Sequence, residues 1–478
     1  MVPALVPASP EEHMKTWHAI ITLTLAPVLA ACAPMRASFA ASSLDGLWAS
    51  NGYGLILEID RADVRVWQTT SGSCLLAFNA RRLQDLPDGA EAVFVTPEQA
   101  GQLTVTVKKT ASDDLRQLRV LGAASEIGLK RLSGKPSVCT TEVNKNPIRN
   151  LEVFAENFRE FYPSFQTKKI DWEAAVAQAK QSLGNSSDER ALFQTLQGLI
   201  APLQDAHTFV NAPGLNDSEF QGFRNAPTTP RTFQELIERR EAIAGIIGKT
   251  VPDLQEYANK KLRFGWLDRA AGIGYLRLTG FEKYSSDGRF SAQLEALETA
   301  LDKIFTPDLR KLVIDVRINP GGFDAFGLAV ISRLTDKKLT AYRKFARAFS
   351  TDKPDATTAA QDVMVTPSNR SRFTGPLVVM TSSFTVSAAE TFVLGLMQRP
   401  ETTRIGTNTQ GAFSDMQTRV LPNGWRFGLP NETYETPNGQ RFEGIGIAPE
   451  IEIPSFSDDQ LAQSRDLPLE AALKKLRN

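Results

Sequence analysis

In the stretch VVMTSSFTVSAAETFVLGLM, residues 378–397, a β-branched apolar run passes through small hydroxyl residues into a segment of helical periodicity, and Ser387 stands at the join. A side chain at the first turn of a helix that follows a buried strand is held at the carboxyl edge of a sheet, where unpaired backbone N–H groups and the helix dipole favour negative charge. A serine there can cap the helix. It can also attack a carbonyl whose developing oxyanion those N–H groups would hold, and for that the hydroxyl needs a base. Of the three histidines, His13 and His18 fall in a leader-like segment, which leaves His207 in LQDAHTFV, directly after a helical stretch. Its imidazole suits the task, although a lone histidine serves equally well as a packed, hydrogen-bonded residue. Gly321 and Gly322 in IDVRINPGGFD follow a buried strand. They can aim backbone N–H groups at a reacting carbonyl, or simply form a turn.

These stretches, with LPNGWRFGLPNETYETPNGQRFEGIGIAPEIEI after them, resemble in kind and order the tricorn-core and carboxyl-terminal processing serine peptidases, over roughly residues 150–455 with the middle unmatched. The resemblance implies a crotonase-like (ClpP-like) α/β peptidase core. It also implies Ser387 as nucleophile, the N–H of Ala388 and a glycine N–H from Gly321 or Gly322 as oxyanion donors, His207 as general base, and Glu443 in EGIGIAPE as the acid that orients it. The processing branch uses a serine and a lysine, but the corresponding segment GTNTQGAFSD has no lysine, and none occurs between Lys353 and Lys474. The likeness is therefore to the tricorn-like, histidine-containing branch. That branch places a serine before its histidine as a link to the glutamate; here Ala206 stands there, so Glu443 would reach His207 directly or through Thr208 or a water. A PDZ-like peptide-binding segment is also missing from the pattern.

The implied activity is hydrolysis of peptides or unfolded proteins through an acyl-enzyme, with no cofactor and no metal, since neither H-E-x-x-H nor clustered ligands occur. Two other classes stay open on the same residues. One is a non-catalytic, lipid-anchored binding protein on a peptidase-like fold, because the family includes a retinoid carrier built from degenerate peptidase repeats. The other is a thioester enzyme that uses the glycine-turn N–H groups without a serine nucleophile.

Elements must position these residues. Short alternating runs such as YGLILEI, DVRVW and QLTVTV, separated by turns such as LPDGAE, predict an all-β domain over residues 42–141. Apolar residues at spacings of three and four predict a helical subdomain over 146–212, broken near Pro163 and Gly184. Residues 213–262 read as an insertion or lid. The runs GIGYLRL, KLVIDV, PLVVM and TRIG alternate with helical stretches and predict an α/β core over 263–455, with an Asn-Gly hairpin at VLPNGWRFGL and a tail over 456–478.

The 478 residues carry 54 basic and 54 acidic side chains, which removes any global electrostatic reason to expect nucleic acid as a partner. Residues 14–31, MKTWHAIITLTLAPVLAA, follow a basic start with an apolar core, the pattern of a secretory signal within residues 1–41. The following LAAC resembles a bacterial lipobox, so Cys32 would be lipidated and the protein held in the cell envelope, periplasmic or on the outer membrane. A plain signal cut after ASFA, residues 37–40, would discard Cys32 instead. Export would allow Cys74 and Cys139 to pair, and two buried thiols fit as well. Oligomeric state is unspecified.

Overall fold

The computed structural model describes residues 42–85, 91–97, 103–140, 144–184, 188–216, 218–224, 233–455 and 457–478. Cys32 and the leader lie outside them. Eight strands, β1 (Gly46–Ser50), β2 (Leu55–Asp60), β3 (Asp63–Thr69), β4 (Cys74–Asp85), β5 (Glu91–Val95), β6 (Thr104–Lys109), β7 (Leu115–Val120) and β8 (Ile127–Leu132), pair antiparallel in sequence order. Because β8 pairs back onto β1, the sheet closes into a barrel without an edge. Alternate residues point inward, and every strand contributes to one packed interior that includes Trp48, Leu57, Val66, Phe94, Val107 and Leu129. Cys74 is disulfide-bonded to Cys139 with a Cα–Cα separation of 4.8 Å, which decides between the two thiol readings.

Helices α1 (Pro147–Phe161), α2 (Trp172–Leu183) and α3 (Glu189–Ile200) follow. Each starts at a side-chain cap: Asn146, Asp171 and Asp188 accept from the N–H groups of Arg149, Ala174 and Arg190. Their apolar faces cover a small sheet in which β9 (Phe209–Ala212) lies between β10 (Ser218–Gln221) and a later hairpin. The expected insertion does not stand apart. Helix α4 (Phe233–Thr250) buries Ile243 and Ile247 in the main core, and β11 (Gln255–Tyr257) pairs with β12 (Leu262–Asp268) at the edge of the main sheet.

The main sheet continues with β13 (Ile273–Leu278), helix α5 (Phe290–Ile304) and β14 (Lys311–Asp315). Next come the two-residue β15 (Ile318–Asn319), helix α6 (Asp324–Ser332), and β16 (Leu339–Ala346) with β17 (Gln361–Val365). The chain then passes through β18 (Leu377–Thr381), β19 (Phe384–Thr385), helix α7 (Ala388–Leu396) and β20 (Thr402–Gly406). The hairpin β21 (Met416–Val420) and β22 (Arg426–Pro430) precedes β23 (Glu432–Glu435), β24 (Ile451–Glu452) and helix α8 (Leu467–Arg477). The sheet order is β11-β12-β13-β14-β18-β20-β24, parallel from β13 onward.

The two faces of this sheet explain its apolar strands. Leu312, Ile314, Leu377 and Val379 pack against α5, α6 and α7, while Val313, Val378 and Met380 pack against α4 and α8. The expected tail is thus an integral helix. Its cap, Asp466, accepts from Leu469 N–H and pairs with the buried guanidinium of Arg317, which also grips both oxygens of Asp315. Burial pushes the Asp315 carboxyl up, but Arg317, Arg277 and the Tyr275 hydroxyl together hold it at about 2. The network fixes the chain at the point where it leaves β14 toward the glycine turn.

Candidate active site

At the carboxyl end of β18 the chain enters β19, which pairs in parallel with β15 through Ile318 opposite Phe384 and Asn319 opposite Thr385. Val386 N–H then donates to Asn319 C=O at 3.0 Å. This short ladder joins the serine segment to the glycine turn. Ser387 follows with φ 59° and ψ −126°, a conformation that costs a non-glycine residue about 1–3 kcal/mol and persists only when its surroundings hold it. Its N–H donates to Ala412 C=O at 3.1 Å and to Glu390 Oε2 at 3.3 Å. Its C=O accepts from the N–H groups of Glu390 and Thr391 at 2.7 and 3.1 Å. The serine is half-buried at the first turn of α7.

The glycine turn lies directly against it. A Cβ on Gly321 would sit 2.7 Å from Ser387 Cβ and 2.9 Å from Ala388 N, so a glycine is needed there. The two expected glycine donors are not equivalent. Gly321 N–H is already given to Asn319 Oδ1 at 2.9 Å, and its C=O accepts from Phe281 N–H at 2.7 Å. Gly322 N–H enters neither bond, and Ala388 N–H, in the first turn of α7, has no intrahelical acceptor. Among the described residues the N–H groups of Ala388 and Gly322 are thus left without a hydrogen bond, while Gly321 gives its N–H to Asn319 and makes room for the serine.

Glu390, which the sequence reading did not single out, stitches this corner together. Fully buried, it accepts from Gly411 N–H at 2.6 Å and Ala412 N–H at 2.8 Å as well as from Ser387. Burial pushes its carboxyl up to about 7, against the lowering effect of the Thr409 hydroxyl and these N–H groups. The spacing S-x-x-E, that of a capping box, was the available signal.

His207 lies in the turn between α3 and β9, and Ala206 beside it packs against Val386 and Ala412, the neighbours of Ser387 in sequence and in hydrogen bonding. The β9–β22 pairing carries His207 close to the hairpin, where Gly428 leaves room for the His207 carbonyl. Asp205 fixes the turn: its Oδ1 accepts from His207 N–H and its Oδ2 from Tyr162 O–H, both at 2.9 Å. Burial lowers the imidazole pKa below its ordinary value, while the charges of Asp205 and Asp415 pull in the opposite direction. Nδ1 is buried with no hydrogen-bond partner.

Glu443 comes to the same region without touching the imidazole. Its Oε2 accepts from Phe413 N–H at 3.1 Å, and its Oε1 is buried and unpartnered. Burial, then the nearby charge of Asp205, raises its pKa well above the usual carboxylate range, against Lys168 and the Phe413 N–H. Among the described residues no hydrogen bond links His207 to Ser387 or to Glu443. Thr208 is not the bridge, because its hydroxyl donates to Asp205 C=O at 2.8 Å. Nor does a cluster of three or more potential metal ligands occur among the described residues.

Residues 272–453 match the family model described as Peptidase family S41. The chain is 28% identical over 181 residues to the carboxy-terminal-processing protease of Bartonella bacilliformis, covering 37% of this chain and 38% of that protein. It is 26% identical over 195 residues to the chloroplastic carboxyl-terminal-processing peptidase 2 of Arabidopsis thaliana, covering 40% and 34%. The matched stretches thus span little more than a third of these relatives. A crystal structure from Parabacteroides merdae superposes with a TM-score of 0.58 at 23% identity, covering 70% of this chain and 97% of that one. Mature CPAF does so with a TM-score of 0.52 at 13% identity, covering 70% and 97%. Both describe the fold. The serine elbow, the glycine turn and the β13–β24 sheet all lie inside residues 272–453, the stretch that matches the peptidase family S41 model.

Proposed function

We propose that the protein is an exported serine peptidase that cleaves peptide bonds of peptides or unfolded proteins through an acyl-enzyme on Ser387. The observation that carries this reading is the strained elbow: Ser387 is held at φ 59° beside the N–H groups of Ala388 and Gly322, neither of which is hydrogen-bonded among the described residues. His207 takes the serine proton and returns it to the leaving amine, and the two N–H groups hold the oxyanion. Burial that lowers the imidazole pKa keeps it unprotonated at neutral pH, as a general base requires.

Glu443 is the orienting acid in this reading. Its bare Oε1 and the bare Nδ1 of His207 are complementary buried atoms, and hydrogen bonds of such sites commonly tighten only when substrate closes them. An imidazolium arriving beside Glu443 would favour the carboxylate that burial now disfavours. The charges of Asp205 and Asp415 add to the stabilisation of that imidazolium. This is the tricorn-like rather than the serine-lysine arrangement, and Ala412 and its neighbours offer no lysine. A ligand-carrying role draws no support from the barrel, whose interior is filled by its own side chains.

Ser387→Ala is expected to abolish turnover of an unfolded-protein substrate while Tm stays within a few degrees. A folded variant with wild-type turnover would end the reading. Cys32 is the lipid anchor: Cys32→Ala should move the protein from the membrane fraction to the soluble one, in keeping with described helices none of which is long and apolar enough to cross a membrane. Retention in the membrane fraction would contradict it.

A further inference from the structure

Helix α6 begins two residues after Gly322, and its N-cap residue is Phe323, which has no side chain able to cap. One of the helix's open N–H groups is satisfied from a distant part of the chain. Ala325 N–H donates at 3.0 Å to the carbonyl of Gly122, in the β7–β8 turn of the barrel. The same glycine forms the seat of the Phe323 ring: a Cβ at Gly122 would lie 2.6 Å from Phe323 Cδ1, and its φ of 98° already suits glycine alone. Phe323 N–H in turn donates to Phe281 C=O at 2.8 Å, and Phe281 N–H to Gly321 C=O, so the ring, the cap and the glycine turn are one connected piece. The barrel is also locked in register beside this contact, since Glu126 and Gln361 exchange two hydrogen bonds at 3.1 and 2.8 Å.

We infer that the barrel turn Leu121–Ala124 is a positioning element for the site: by capping α6 and seating Phe323 it fixes the direction of the Gly322 N–H. The barrel lies outside the matched residues 272–453, so nothing in that domain's likeness to other chains assigns it this role. The inference rests on Ser387 acting as nucleophile with Gly322 as one oxyanion donor. A donor must stand about 2.7–3.1 Å from the oxyanion, held to within about 0.5 Å, to count, and the bond matters in the transition state more than in the bound substrate. Loosening the turn should therefore lower kcat and leave KM nearly alone.

The test is Gly122→Ala in the full chain, with Phe323→Leu, which keeps the barrel intact and shrinks the seated side chain, as the second variant. Each is measured for kcat and KM on a peptide substrate and for hydrogen exchange of the segment carrying Phe323 to Phe326. The expectation for either variant is a kcat reduced about 10-fold or more with KM within about 3-fold, together with faster exchange of that segment. Unchanged kcat, or a lowered kcat with unchanged exchange, overturns the inference. If Gly122→Ala does not fold, Phe323→Leu decides alone. If the wild-type protein shows no turnover at all, the peptidase reading fails instead, and the exchange measurement still reports whether Gly122 caps α6.

Discussion

A serine held at φ 59° is costly, and the cost identifies the residues that hold it. Gly321 makes room, Ala412 C=O and Glu390 take the serine N–H, and Glu390 in turn needs the N–H groups of Gly411 and Ala412. Of these, Gly321 stood out in the sequence because consecutive glycines after an apolar run are conspicuous. Glu390 was hidden in SAAE, where the capping-box spacing could be read as nothing more than a helix start. Asp205 stands two residues before His207 in the sequence, whereas Asp415 was invisible, because its field reaches His207 only after two segments far apart in sequence are folded together. The charge balance at His207 gives a prediction with a definite sign. Burial outweighs the two carboxylates and lowers the imidazole pKa, so protonation requires a more acid solution than for a free imidazole. The acid limb of kcat/KM should therefore fall below pH ~6.5. The same depressed pKa makes folding less favourable as pH drops below the unfolded value of about 6.5 and through the folded one. A limb clearly above that value in a pH–rate profile would show that another group is the base.

At the scale of elements, strands buried on both faces and helices with polar caps were legible, since their periodicity and capping residues are local signals. Two segments were not. Residues 233–250 show a helical pattern, but whether such a helix covers a sheet or a site depends on what it packs against, and Ile243 and Ile247 pack against Tyr275 and Val313 in the main core. Residues 467–477 carry an Asp cap, an early proline and a basic last turn, yet they read as a tail because their partner, Arg317, is distant in sequence. The disulfide was undecidable without geometry, and it makes a prediction of its own. Cys74 and Cys139 are 65 residues apart and bracket most of the barrel, so by chain-entropy reasoning the bond contributes about 4 kcal/mol. Reducing it should lower the denaturant midpoint of the barrel's unfolding, with the loss read from the shift at constant slope. An unchanged midpoint would mean that the barrel and α1 hold together without it.

Across the whole molecule, the site is a corner where the main sheet, the helical layer with its small sheet, and the barrel meet. The sheet supplies Ser387 and the glycine turn, and the helical layer with β9 supplies His207. The β21–β22 region supplies Asp415 and the backing for His207, and the barrel reaches in at two points, through Gly122 against Phe323 and through Tyr53 O–H on Glu432 at 2.5 Å. Glu432 also pairs with Lys344, which binds Asp415 at 2.9 Å, so the barrel touches the charge network that faces His207. Such convergence explains why residue types could suggest the chemistry while the roles of the barrel and the carboxylates needed the fold. The most direct measurement is mass spectrometry of the intact and digested protein after reaction with a fluorophosphonate, which is attacked by an activated serine held beside oxyanion donors. The account predicts one adduct per chain, located on Ser387, absent in Ser387→Ala and strongly slowed in His207→Ala. Wild-type protein that is folded, disulfide-bonded and unlabelled, or labelled equally well in Ser387→Ala, would contradict it.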